Sequence, residues 1–186
     1  EPTKHLSWVN PSPNLPTHSG CLVFPGTVLL EGCNLSEGRG TTRPLEVIGH
    51  PNIEPHSFAK KVNTVLEKID LNGFMLRPTV FHPMFQKHAE KSCGGFHIHV
   101  TDPLTFRPWR LGQMLLHLFK EELGSDFKWK NDGYEYQFDK LAIDFINGDD
   151  QLRKWVEESG SYQELLKLES QGYLEFESNR REALLY

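Results

Sequence analysis

Between Glu31 and Glu46 the chain crowds Asn34, Ser36, Glu37, Arg39, Thr41, Thr42 and Arg43 around three glycines, Gly32, Gly38 and Gly40. These types offer carboxylates that accept hydrogen bonds or move protons, guanidinium groups that pair with anions, and hydroxyls that bind polar ligands. The glycines permit positive φ and close backbone approach, so such a loop can wrap a ligand. A phosphate loop is excluded by pattern, since SEGRGTT lacks the GxxxxGK[ST] arrangement. A solvated turn is the plainer alternative, but loops this long in compact domains usually carry function.

Two further groups carry chemistry. His97 and His99 stand two apart in an alternating run, where they can chelate a metal with His88, Cys93 or Asp102 as third ligand. No third ligand stands out, so hydrogen-bonded surface histidines are the plainer reading and no metal or cofactor is expected. His99 and Asp102 can instead pair directly. Tyr134-Glu135-Tyr136 sets aromatic faces, which stack on sugars, around a carboxylate that binds hydroxyls; it reads equally as an ordinary strand. Glu31, Glu37, Glu46, Asp102 and Glu135 are all candidate acids. Splitting a glycosidic bond requires two such groups at a set separation, which chain spacing does not give.

The elements that must position these residues read as α+β. Residues 1–19 carry four prolines and read as an extended arm, followed by one domain over 20–186. Residues 21–32 form an apolar run broken by Pro25-Gly26 that fits strand or short helix. The spacing predicts helices over 57–70 and 108–123, with Phe58, Val62, Val65, Leu66 and Ile69 on one buried face and Leu111, Met114, Leu115, Leu118 and Phe119 on the other. Strands are predicted over 74–81 and 95–101, with a short one over 134–138. Helices over 141–146, 150–158 and 161–181 close the domain, with Asp150 and Ser161 as caps and Gly172 a weak point in the last. The expected architecture is a small mixed sheet packed with several helices.

Composition bounds the partners. The chain has 186 residues, 38% of them hydrophobic, with 12 Phe, 5 Tyr and 4 Trp, enough for a real core. A net charge of −5 without a basic stripe argues against nucleic acid or an anionic membrane surface. No apolar run approaches the roughly 20 residues of a membrane span. The three cysteines, Cys21, Cys33 and Cys93, form no CxxC pair and suit neither a disulfide framework nor a structural zinc site.

Three stretches resemble a known family: LVFPGTVLLEGCNLSEGRGTTRPLEVIGHP (22–51), RPTVFHPMFQKHAEKSCGGFHIHVTDPLTFRPWRLG (77–112) and YEYQFDKLAIDFINGDDQLR (134–153). They are similar to the carboxy-terminal part of the NamZ-type exo-β-N-acetylmuramidases, long catalogued as a domain of unknown function. The resemblance implies a bacterial two-domain enzyme, periplasmic or secreted. In it an amino-terminal Rossmann-like domain and the present domain enclose a cleft that releases terminal N-acetylmuramic acid from peptidoglycan fragments. It further implies that residues 1–19 are the linker, that the family's catalytic carboxylate lies in the other domain, and that this chain alone is inactive. Carried over onto matching positions are Glu31, Gly32, Asn34, Gly38, Arg39, Gly40, Thr41 and Pro44, with His99, Thr101 and Asp102. Cys33, Leu45 and His50 stand where the family tends to show Thr, Phe and Ala.

The resulting expectation is a substrate-shaping domain. Glu31 and Glu37 are its catalytic candidates, and Glu31, Asn34, Arg39, Gly40, Thr41, Thr42, Arg43, His99, Asp102, Glu135 and Tyr136 bind muramyl sugar. Arg39 is the expected partner of the sugar's lactyl carboxylate, unless it ties the loop down by pairing with Glu37 or Glu46. A non-catalytic carbohydrate-binding module and a metal-dependent hydrolase built on His97 and His99 are the alternatives.

Overall fold

A computed structural model describes residues 7–184, so the first six residues of the expected arm lie outside the described span. Three strands, β1 (Val47–His50), β2 (Phe74–Phe81) and β3 (Cys93–Val100), form one sheet in the order β1-β3-β2. The α+β class holds. The sheet, however, is antiparallel in both pairings rather than mixed. The physical reason is connection: β2 and β3 are joined by a loop with no crossover helix, and a parallel neighbour would need one. The register sets Phe96 between Ile48 and Pro78, and His97 between Val47 and Arg77. Alternation on β3 therefore buries Phe96 and Ile98 and turns His97 and His99 to the opposite face, as their spacing predicts.

Helices α1 (His18–Thr27), α2 (Pro55–Leu66) and α3 (Pro108–Leu123) build the main core. Helix α2 starts two residues before the predicted Ser57. The Glu54 carboxylate accepts from the His56 and Ser57 amides at 3.1 and 2.6 Å, and Pro55 suits the first helical position. Phe58 of α2, Phe96 of β3 and Phe119 of α3 stack as a buried trio, with centroids 4.7–6.0 Å apart. The run broken by Pro25-Gly26 is helical: α1 is capped by the Thr17 hydroxyl, which accepts from the Gly20 amide at 2.9 Å, and so takes the last two residues of the expected arm. Gly26 touches α3 at Gly112 so closely that a Cβ on Gly112 would lie 2.4 Å from the Gly26 carbonyl oxygen.

The chain closes with α4 (Ala142–Asn147), α5 (Gln151–Glu157), α6 (Tyr162–Ser170) and α7 (Tyr173–Ala183). The single helix expected over 161–181 is two, because Gly172 adopts φ 69° between them. Ser161 forms a full capping box with Glu164, whereas Asp150 makes no side-chain cap bond; Asp149 accepts from the Gln151 amide instead. The strand expected over 134–138 is a turn. Tyr134 and Gln137 exchange both backbone hydrogen bonds, at 2.9 and 2.8 Å, around Glu135 and Tyr136 at positive φ.

Candidate functional site

Past the β1 edge the sheet continues irregularly. Ser36 and Gly49 exchange backbone bonds at 2.8 and 3.0 Å, the Asn34 amide donates to Lys128 O, and the Lys130 amide donates to Gly32 O, both at 2.9 Å. These pairings hold the glycine-rich loop against the 128–138 segment. The loop is also tied to the β2–β3 connection, where the Met84 amide donates to Gly40 O at 3.0 Å. Gly40 has φ 84°, and a Cβ there would lie 2.7 Å from the Met84 and Phe85 amides, so no larger residue fits.

The three segments enclose a cleft of about 770 Å³. Glu31 sits in its wall with both carboxylate oxygens engaged: Oε1 pairs with Arg39 Nη2, and Oε2 accepts from the Tyr134 hydroxyl at 3.1 Å. Burial, with Glu31 as the next cause, pushes the Tyr134 phenol up to about 12, so it remains a proton donor to Glu31 at neutral pH. Glu37 is only 2% exposed. Arg39 Nε reaches its Oε1 at 3.2 Å and Lys87 Nζ its Oε2 at 2.8 Å. Arg39 thus bridges both candidate carboxylates and ties the loop through Glu37. Lys87 also donates to Leu30 O and Leu35 O at 2.7 and 3.0 Å, pinning the base of the loop.

Asn34 uses its side chain to bind the 126–128 backbone, donating to Asp126 O and accepting from the Lys128 amide. Its carbonyl oxygen meets His88 Nε2 at 2.6 Å, so that nitrogen carries the proton. Burial holds His88 below the usual imidazole range and brings its neighbour His50, stacked edge-on at 4.6 Å, down to about 4. At the mouth, Tyr136 and Phe138 are 92% and 80% exposed. Among the described residues seven non-glycines adopt positive φ, and four of them, Gln86, His88, Glu135 and Tyr136, line this cleft. Strained backbone gathered in one place is a recurrent mark of a working site.

The structure therefore brings Glu31, Asn34, Glu37, Arg39, Glu135 and Tyr136 together, and places the other expected binders elsewhere. Thr41 and Thr42 belong to the loop's outer turn, where the Thr41 hydroxyl donates to Gly38 O at 2.7 Å. Arg43 lies 3.6 Å from Glu46 and faces solvent. His99 accepts from Arg77 Nε at 3.2 Å on the far face of the sheet, and Asp102 bonds the Leu104 amide and the Thr105 hydroxyl rather than His99. His97 lies 2.9 Å from Arg77 Nη2 and 3.6 Å from Glu46. Among the described residues no three His, Cys, Asp or Glu side chains converge as metal ligands would. Lys87, Trp129 and Lys130 also line the cleft; Lys87 falls inside the 77–112 stretch without being singled out there, and Trp129 and Lys130 stand outside every motif and period.

Fold and site together define an α+β domain with a carboxylate-bearing cleft rimmed by aromatics. Residues 22–186 match the family described as Exo-beta-N-acetylmuramidase NamZ, C-terminal, and the chain belongs to that family. It is 33% identical over 181 residues to the peptidoglycan beta-N-acetylmuramidase NamZ of Bacillus subtilis strain 168, an alignment covering 97% of this chain and 41% of that protein. The chain thus spans less than half the length of this curated relative. Two crystal structures of DUF1343 family proteins from Bacteroides fragilis share the fold. One is 16% identical with a TM-score of 0.78, covering 97% of this chain and 45% of the other. The second is 23% identical with a TM-score of 0.59, covering 95% and 43%.

Proposed function

We propose that this chain is the substrate-shaping domain of a peptidoglycan exo-β-N-acetylmuramidase, and that its cleft holds a terminal muramyl sugar for catalysis completed by a further domain. The observation that carries this reading is Glu31, fixed between Arg39 and Tyr134 in the wall of a cleft whose rim presents Tyr136 and Phe138. An aromatic face stacks on the apolar face of a pyranose, and a carboxylate held by its neighbours accepts sugar hydroxyls without reorganising. Glu37, with both oxygens bonded to cations and almost no exposure, serves as scaffold for Arg39 and Lys87. The substrate class follows the printed activity of the B. subtilis relative. The further domain corresponds to the part of that relative which this chain does not match.

The test is replacement. The matched carboxy-terminal part of the B. subtilis enzyme is exchanged for this chain, and turnover of a chromogenic β-N-acetylmuramide is measured. Turnover is expected, with kcat/KM falling about tenfold or more in Glu31→Gln, the scale of one lost charge-assisted hydrogen bond. A well-folded chimera that binds the sugar but never turns over would instead make the domain a carbohydrate-binding module.

A further inference from the structure

A muramyl sugar differs from its glucosamine counterpart by a lactyl ether ending in a carboxylate, so selecting it requires a cation whose charge is not already balanced by a bonded carboxylate. Three cations line the cleft: Arg39, Lys87 and Lys130. Arg39 is committed to Glu31 and Glu37. Arg39 and Lys87 together balance Glu31 and Glu37, two charges against two, so a ligand carboxylate drawn to Arg39 would compete with both for a charge they already share. Lys87 is saturated: an ammonium has three donor hydrogens, and Lys87 Nζ meets Leu30 O, Leu35 O and Glu37 Oε2 within 3.0 Å.

Lys130 differs in every respect. Its nearest carboxylate, Asp132, lies at 3.8 Å, beyond hydrogen-bond range, and the Asp132 side chain is 74% exposed. A pair of that kind is worth little in water and yields to a ligand at little cost. The Lys130 backbone is fixed by the hydrogen bond its amide donates to Gly32 O, one residue from Glu31. Its ammonium lies 5.8 Å from the centroid of the Tyr134 ring, whose hydroxyl is bound to Glu31. The cation is therefore held beside the carboxylate proposed to bind the sugar, yet keeps its hydrogens free.

We infer that Lys130 is the residue that reads the lactyl carboxylate, in place of Arg39, whose charge is spent on holding Glu31 and Glu37. This rests on the muramyl reading of the cleft. The test is an NMR titration of the 186-residue chain with N-acetylmuramic acid, its methyl ester and N-acetylglucosamine. The chain should prefer the acid over the ester by about tenfold, or about 1.4 kcal/mol. Lys130→Met should abolish that preference by weakening binding of the acid, and Lys130→Arg should keep it. A preference that survives in Lys130→Met overturns the assignment. So does a wild-type chain that binds the sugars without favouring the acid, although the sugar cleft then stands. Absence of binding to all three would remove both the assignment and the muramyl reading.

Discussion

At the scale of single residues, the cleft is a set of charges arranged so that few remain free. Lys87 shares the almost buried Glu37 with Arg39, so Lys87→Met, which leaves Arg39 in place, should cost about 1–3 kcal/mol. Urea unfolding reads this as a lower midpoint at unchanged slope; a loss below about 1 kcal/mol would show that the pair is not structural. His50 supplies a pH signature. Its folded pKa of about 4 lies below the ordinary imidazole value of about 6.5, so the unfolded chain binds more protons between those values. Its contribution is complete above about pH 6.5 and is lost as pH falls towards 4. His88, His97 and His117, also lowered by burial, act in the same direction. His50→Gln should flatten the fall in stability between pH 6.5 and 4.5, and an unchanged slope would place its origin in the other histidines. The site was partly legible: dense functional types around three glycines singled out Glu31, Asn34, Glu37 and Arg39. The Arg39–Glu37 tie stood as an alternative; what residue types did not reveal was that Arg39 also holds Glu31 and that Lys87 is the second cation on Glu37, because a free carboxylate and a clamped one are spelled with the same letter.

At the scale of elements, periodicity succeeded where one face is buried and failed where the backbone itself decides. Helix α3 and strand β2 have the predicted limits, and all five residues of the α3 stripe are buried. The misread 134–138 segment alternates like a strand but is bent by positive φ at two non-glycine residues, a feature residue types do not announce. Those two positions suit Asn-Gly better than Glu-Tyr. Exchanging Glu135-Tyr136 for Asn-Gly should therefore raise stability by about 1 kcal/mol or more while weakening sugar binding, since it removes a carboxylate and a rim aromatic. Thermal melts and sugar titration check the two halves separately; a stabilised variant with undiminished binding would show that the turn shapes no ligand. At the α1–α3 contact, Gly112→Ala gains helix propensity but meets the Gly26 carbonyl at 2.4 Å. A net loss of about 1–3 kcal/mol is expected from the same melts, whereas neutrality would mean that the helices separate freely.

At the scale of the whole molecule, one side of the sheet is packed with helices, while the cleft grows from its irregular edge, where loop 31–46, the 83–90 connection and segment 128–138 meet. A site made of three distant segments is invisible to any local pattern: residue types singled out loop 31–46 and Glu135-Tyr136 separately, and the 83–90 connection was not anticipated as part of it. The chain spans 41% of its B. subtilis relative, and its clamped Glu31 and Glu37 offer no separate acid and nucleophile. The 186 residues alone should consequently show no turnover of a chromogenic β-N-acetylmuramide above buffer, and turnover that vanishes in Glu31→Gln would place the full catalytic apparatus here. Whether this cleft and no other surface receives the muramyl sugar is read by mapping amide shifts of the isotopically labelled chain on adding N-acetylmuramic acid. Shifts confined to residues 31–39, 86–88 and 129–138 are expected. Shifts centred on His97 and His99, or none at saturating sugar, would contradict the muramyl reading of this cleft.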